Sequence, residues 1–252
     1  MSKKNHLMLS FFAMFFILLS SAIYAQDTVL DLNMYYTIDE QSIVTKVLSA
    51  DCFSKEVEDK SDGNNNANPC SELDFIQKRN EIPKSIDIPI EVIISNIINI
   101  GKQLWTIVEA GRPVVNVQNE YATAVAQGIN NWMQLDLWKT SFSKVYQVTA
   151  KNLYRMEVVK FSYKIIWTYG GSYKGVGQYL TNVSILPIEV NALWGYTFAS
   201  QVRIPNVVNV GTNSDPIAGM QLDLHWDVRT PIKVASGENS YFIRGDGPLR
   251  EL

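Results

Sequence analysis

From Val114 to the C-terminus the side chains alternate with a period of two, and that period constrains the fold more than any other feature. Phe161, Tyr163, Ile165, Trp167 and Tyr169 are interleaved with Lys160, Ser162, Lys164 and Thr168. Ile188, Val190, Ala192, Trp194, Tyr196 and Phe198 are interleaved with Glu189, Asn191 and Thr197. Met220, Leu222, Leu224, Trp226 and Val228 are interleaved with Gln221, Asp223, His225, Asp227 and Arg229. Alternation of this kind describes strands with one buried and one wet face. Turn residues separate the runs at Gly170-Gly171, Gly175-Val176-Gly177, Asn213-Ser214-Asp215-Pro216 and Ser236-Gly237-Glu238-Asn239. Many short strands at close spacing predict a mainly β chain, an antiparallel β-sandwich or an open barrel. In this reading Trp167, Trp194 and Trp226 all belong to the core. An outer-membrane barrel shares the alternation, but the mixed charges on the wet faces and the ending Arg250-Glu251-Leu252 favour a soluble sandwich.

One segment breaks the pattern. Ile90, Ile93, Ile94, Ile97, Ile98, Leu104, Trp105 and Val108 recur at helical spacing, with Asp87 placed to cap and Gly111 and Pro113 placed to stop. They predict one amphipathic helix over 87–110, packed against the sandwich. Residues 1–25 read as a secretory signal: Lys3 and Lys4, an apolar run from Leu7 to Leu19, and small residues before Gln26. The run is shorter than the roughly 20 residues a spanning helix needs. The expected organisation is therefore a signal over 1–25, an N-terminal extension over 26–85 and a β-sandwich domain over 86–252. The extension holds one strand, about Val29 to Ile38, and a polar loop bounded by Cys52 and Cys70. With an export signal, those two cysteines are expected to form a disulfide. The signal directs the chain to a periplasm or the extracellular space.

Composition narrows the function classes. Charged residues are 19% and the formal net charge is −3, which disfavours a phosphate-neutralising nucleic-acid binder. Of the two histidines, His6 lies in the signal, so His225 is the one mature imidazole. Asp223, His225 and Asp227 leave the same strand face, roughly 6.7 Å apart, and form the best candidate metal or acid–base group. A solvated strand face is polar in any case. Trp132 and Trp138, on an expected strand, and Tyr173, on a glycine-rich hairpin tip, are the candidate ligand contacts, through stacking on sugars or at a membrane interface.

Four short motifs carry less. Ser141-Phe142-Ser143-Lys144 matches S-x-x-K, but its expected strand setting is wrong for a penicillin-recognising serine enzyme. The stretch Gly170 to Gly177 lacks the order of a phosphate loop. Arg244-Gly245-Asp246 reads as turn chemistry, and the sequon Asn182-Val183-Ser184 falls inside a strand. No cofactor is implied. The expected protein is an exported, non-catalytic binding or envelope protein, whose ligand is an envelope component, glycan or protein. Membrane-acting or pore-forming activity is the first alternative. A secreted hydrolase using the Asp223–His225–Asp227 face is the second.

Overall fold

The computed structural model describes residues 32–50, 91–115 and 120–252. The signal-like residues 1–25, Cys52 and Cys70 lie outside them. A short helical turn over 32–36 leads into β1 (Ile38–Ala50). Then follow β2 (Ile93–Asn99), β3 (Leu104–Glu109), β4 (Arg112–Pro113), β5 (Ala122–Gln127), β6 (Phe142–Asn152) and β7 (Glu157–Tyr173). The chain continues through β8 (Val176–Ala192), β9 (Thr197–Arg203), β10 (Val207–Asn209), β11 (Ala218–Arg229), β12 (Val234–Arg244) and β13 (Leu249–Glu251). The strands form two antiparallel sheets, one of them curled into a half-barrel. The first sheet runs β1-β6-β7-β8-β5-β2, and the second β13-β12-β11-β9-β3-β4 with β10 paired to β11. The sandwich or open barrel expected from the alternation is the architecture observed.

The core between the sheets is made by the apolar halves of the alternating runs. Phe161, Tyr163, Ile165 and Trp167 of β7 meet Leu222, Leu224, Trp226 and Val228 of β11 in one buried cluster. Aromatic rings run through it: Phe198 to Phe161 at 4.8 Å, Phe161 to Tyr163 at 5.0 Å, and Tyr146 to Tyr241 at 4.9 Å between centroids. Their polar atoms are satisfied internally, as buried aromatics require. Tyr163 and Tyr241 share a hydroxyl–hydroxyl bond, and the Trp226 Nε1 donates to Asn239 Oδ1 at 3.0 Å. Burial raises the Tyr163 and Tyr241 hydroxyls well above the ordinary phenol value. The other face of β7 is also closed to solvent. Ser162 and Lys164 are buried rather than wet, and the cross-strand neighbour Gln147 donates its Nε2 to Ser162 Oγ at 3.1 Å.

The structure corrects the expected helix over 87–110. Where that segment is described it is two strands, β2 and β3, assigned to different sheets. β-branched isoleucines satisfy a buried strand as well as a helix face, so their spacing did not discriminate. The break is Asn99-Ile100-Gly101. Asn99 Oδ1 accepts from the amides of Gly101 (2.9 Å) and Thr123 (3.1 Å), and a Cβ on Gly101 would lie 2.4 Å from the Tyr121 carbonyl oxygen. Backbone contact that close needs glycine.

Two strand boundaries also move. Residues 32–36, expected in a strand ending near Ile38, form the helical turn, and β1 starts where that strand was to end. β1 pairs with β6 as the edge of the first sheet. Trp132 and Trp138 do not share a strand. Trp132–Gln134 is a 3-10 turn closed by a reciprocal capping box between Asn131 and Gln134.

Candidate functional site

Two places on the described surface gather chemistry: the outer face of β11 and one end of the sandwich. On β11 the expected geometry holds in part. Asp223, His225 and Asp227 do leave the outer face, while Leu222, Leu224 and Trp226 enter the core. Asp223 and His225 line a shallow cavity of about 240 Å³ together with Leu104, Gln201, Arg203 and Glu238. Asp227 does not line it and pairs with Arg229 Nε at 2.8 Å. The Asp223 side chain is buried and its oxygens are occupied. Ser240 Oγ donates at 2.7 Å, Gln221 Nε2 at 2.9 Å and Arg203 Nη2 at 3.4 Å. A carboxylate held by three donors positions strands rather than binding a cation. Among the described residues, no three His, Cys, Asp or Glu side chains gather to hold a metal ion. Residues two apart on a strand stand too far apart to close on one ion unaided.

The end of the sandwich is built differently. Register places five connections there. β1 starts opposite the end of β6, β7 starts opposite the end of β8, and β9 starts opposite the end of β11. The 32–36 turn and the β3–β4, β6–β7, β8–β9 and β11–β12 connections therefore cluster at one end. Across the two sheets, Lys233 Nζ pairs with Glu40 Oε1 at 2.7 Å. That pairing holds the Glu40 carboxyl below its ordinary value, through the hydrogen bond first and the charge second. Below the surface, Tyr35, Tyr36 and Tyr196 pack edge to face, with centroids 4.9 Å apart for the first pair and 5.8 Å for Tyr35–Tyr196. Buried Asn152 ties them to the β6–β7 turn: its Nδ2 donates to the Tyr35 carbonyl (3.2 Å) and its Oδ1 accepts from the Met156 amide (3.1 Å). Tyr196 donates its hydroxyl to the same Tyr35 carbonyl, and burial raises that hydroxyl above the ordinary phenol value.

On this bed stands Trp194. It is 81% exposed, against 3% for Trp167 and 4% for Trp226. The expectation of a core Trp194 is corrected here. The run Ile188 to Phe198 is two strands interrupted by a turn at Leu193–Gly195, and that turn carries the indole outward. The Tyr35 hydroxyl donates to the Trp194 carbonyl at 3.1 Å, so the turn is held while the ring is free of the core. Leu193 beside it, Leu32 and Met34 on the helical turn, Leu153, Tyr154 and Met156 on β6–β7, and Ile232 on β11–β12 are exposed as well. A cavity of about 540 Å³ opens next to Leu193 and is lined also by Arg112, Glu157, Lys160, Asn191 and Tyr196.

The expected ligand contacts fare unevenly. Trp132 and Trp138 are half-buried and pack on each other at 6.3 Å and 77°, with Trp138 Nε1 donating to the Trp132 carbonyl at 3.2 Å. Tyr173 ends β7 at a two-residue hairpin, and Lys174 Nζ lies 5.2 Å above its ring. These three lie at the opposite end of the sandwich from Trp194. The Arg244-Gly245-Asp246 triplet is closed on itself, Arg244 donating to Asp246 at 2.9 and 2.6 Å. Ser141 Oγ bonds Thr168 Oγ1 at 2.6 Å while Lys144 pairs with Glu251 at 3.2 Å, so the S-x-x-K residues do not meet. Sequence reasoning missed the outward Trp194, and Gly195 was the signal that would have found it. Compared with family models, curated proteins and solved structures, the chain matches none.

Proposed function

We propose that the chain is an exported, non-catalytic binding protein whose recognition surface is the end of the sandwich that carries Trp194. The observation that supports this reading is the exposure of that indole above a rigid tyrosine bed, ringed by apolar tips on neighbouring connections. Several large apolar tips gathered at one end of the sandwich cost solubility, and their presence together fits a contact surface. Tryptophan and tyrosine are the side chains that concentrate contact energy at such surfaces. A non-catalytic role fits the β11 face, where Asp223 is consumed by structural hydrogen bonds and Asp227 by Arg229. Export fits the signal-like residues 1–25.

The test is co-sedimentation of the purified chain with a cell-envelope preparation from its source, comparing native protein with Trp194→Ala. Loss of a central exposed tryptophan removes about 2 kcal/mol or more of binding, a decrease of at least about 30-fold in affinity. Equal sedimentation of native and variant proteins overturns the assignment of this surface.

A further inference from the structure

We infer that the occupant of the Trp194 end is a zwitterionic phospholipid surface, with a headgroup seated in the adjoining cavity. This rests on the binding reading above and names its partner. The first argument is shape. The exposed apolar residues project from separate connections, Leu32, Tyr154, Met156, Leu193, Trp194 and Ile232, with polar backbone between them. A protein partner needs a closed apolar centre packed to interior density. A fluid interface flows around separate tips and buries each one. The second is residue type. Tryptophan and tyrosine prefer the headgroup level, and the leucine, methionine and isoleucine tips reach the acyl boundary beneath it.

The third argument is charge. Around the tips, Arg112, Lys151 and Arg155 have no carboxylate partner among the described residues, and Asp39, Glu109 and Glu157 have no cationic one. The two signs balance, and the chain carries a formal −3. An anionic membrane is read by an excess of lysine and arginine, which this end lacks. A headgroup that carries both a phosphate and an ammonium matches it. The cavity of about 540 Å³ is lined by Arg112 and Glu157, with Lys160 beside them held by Glu189. Arg112 meets the phosphate, whose oxygens fit a guanidinium fork. Glu157 meets the ammonium by charge.

The experiment is flotation of the full chain with phosphatidylcholine vesicles at about 0.1 M and about 1 M salt, a range over which exposed charge attraction is screened away. The expected result is co-flotation that survives about 1 M salt with no more than the several-fold loss carried by Arg112 and Glu157, because burial of apolar tips carries the rest of the contact. Trp194→Ala lowers the bound fraction at least about tenfold, and Arg112→Gln with Glu157→Gln lowers it several-fold. Trp194→Phe retains most of it, and near-ultraviolet circular dichroism checks that each variant keeps its packed core. Absence of flotation with phosphatidylcholine overturns the inference. So does flotation seen with anionic vesicles alone and lost at high salt, and so does flotation indifferent to Trp194→Ala. If envelope binding depends on Trp194 while pure vesicles do not bind, the lipid inference fails and the binding reading stands. If envelope binding ignores Trp194, both fail.

Discussion

At one end of the sandwich Trp194, Tyr154 and Met156 stand in solvent above a bed of tyrosines. At the other, polar side chains fold back onto the main chain. There Asn209 Oδ1 accepts from the amides of Gly211 (2.9 Å) and Ile217 (3.1 Å), Thr212 Oγ1 accepts from Asp215 (2.9 Å), and Arg244 is clasped to Asp246. The Trp194 end closes its strands with the short connections 110–111, 153–156, 193–196 and 230–233, whereas the other end also carries the longer connections 128–141 and 210–217. The two ends also differ in where each turn finds its support. The polar end is supported by side chains within its turns and by bonds between them, Gly177 N–H donating to Asp215 Oδ1 at 3.2 Å and Gly170 N–H to the Gly245 carbonyl at 2.9 Å. The Trp194 end is supported from beneath, by Tyr35, Tyr36, Tyr196 and Asn152, which hold the turn while the Trp194 indole stays outside the core. Large apolar side chains gathered in solvent at one end are the mark of a contact surface rather than of a loop.

The sharpest way to break that comparison uses one residue type in two settings. Trp226→Ala empties a packed site at the centre of the core and is expected to cost about 3–5 kcal/mol. Trp194→Ala is expected to shift stability by less than about 0.5 kcal/mol. Urea denaturation midpoints read both. A Trp194→Ala cost approaching that of Trp226→Ala would mean that the indole is structural and that the end is not a free surface.

The next comparison is between two turn glycines with nearly equal backbone angles, Gly195 at φ +83° and Gly175 at φ +80°. A Cβ at 195 would lie 2.5 Å from the Tyr36 ring, whereas a Cβ at 175 meets nothing within 4 Å. Gly175→Ala therefore suffers the left-handed backbone alone, about 1–2 kcal/mol. Gly195→Ala adds displacement of the tyrosine bed, about 1–3 kcal/mol more. Equal midpoints for the two variants would show that Tyr36 yields freely, and the account of a rigid support under Trp194 would go with it.

Much of the sandwich was legible in the sequence because strand alternation encodes burial directly. The runs 161–169 and 220–228 go into the core side by side as the period of two requires. Alternation failed where two structures share one spacing. Ile93, Ile94, Ile97 and Ile98 satisfy a helix face and a strand equally, and the deciding feature was tertiary, the close approach of Gly101 to Tyr121. It failed again at Trp194, whose phase matches Ala192 and Tyr196 although a turn intervenes. Gly195 and its positive φ were the local marks of that turn. The β11 face was legible as a face but not as a site. Sequence places Asp223 and His225 outward, yet whether Asp223 binds a ligand or Arg203 and Ser240 depends on strand order, which brings β9 and β12 to either side. The tyrosine bed was not legible at all, since it joins residues 35 and 36 to residue 196 across the fold.

The smallest expected effect belongs to the polar end and tests its self-support by pH. Arg244 donates two hydrogen bonds to Asp246, and these, with its charge, hold the Asp246 carboxyl below the ordinary value despite partial burial. A carboxyl depressed in the folded state contributes stability that is present above its unfolded pKa, about 3.9, and is lost as pH falls through the lower folded value. The pair is half-open to water, so its contribution at neutral pH is about 1 kcal/mol or less. Asp246→Asn is expected to be slightly less stable than the native chain at pH 7, and the gap is expected to close below about pH 4. Stability curves of the two proteins between pH 2 and pH 7, on the scale of about 1 kcal/mol set by exposed pairs, read this directly. A gap that persists unchanged in acid would mean that Asp246 acts through turn geometry rather than through its charge, and that the polar end is held by main-chain shape alone.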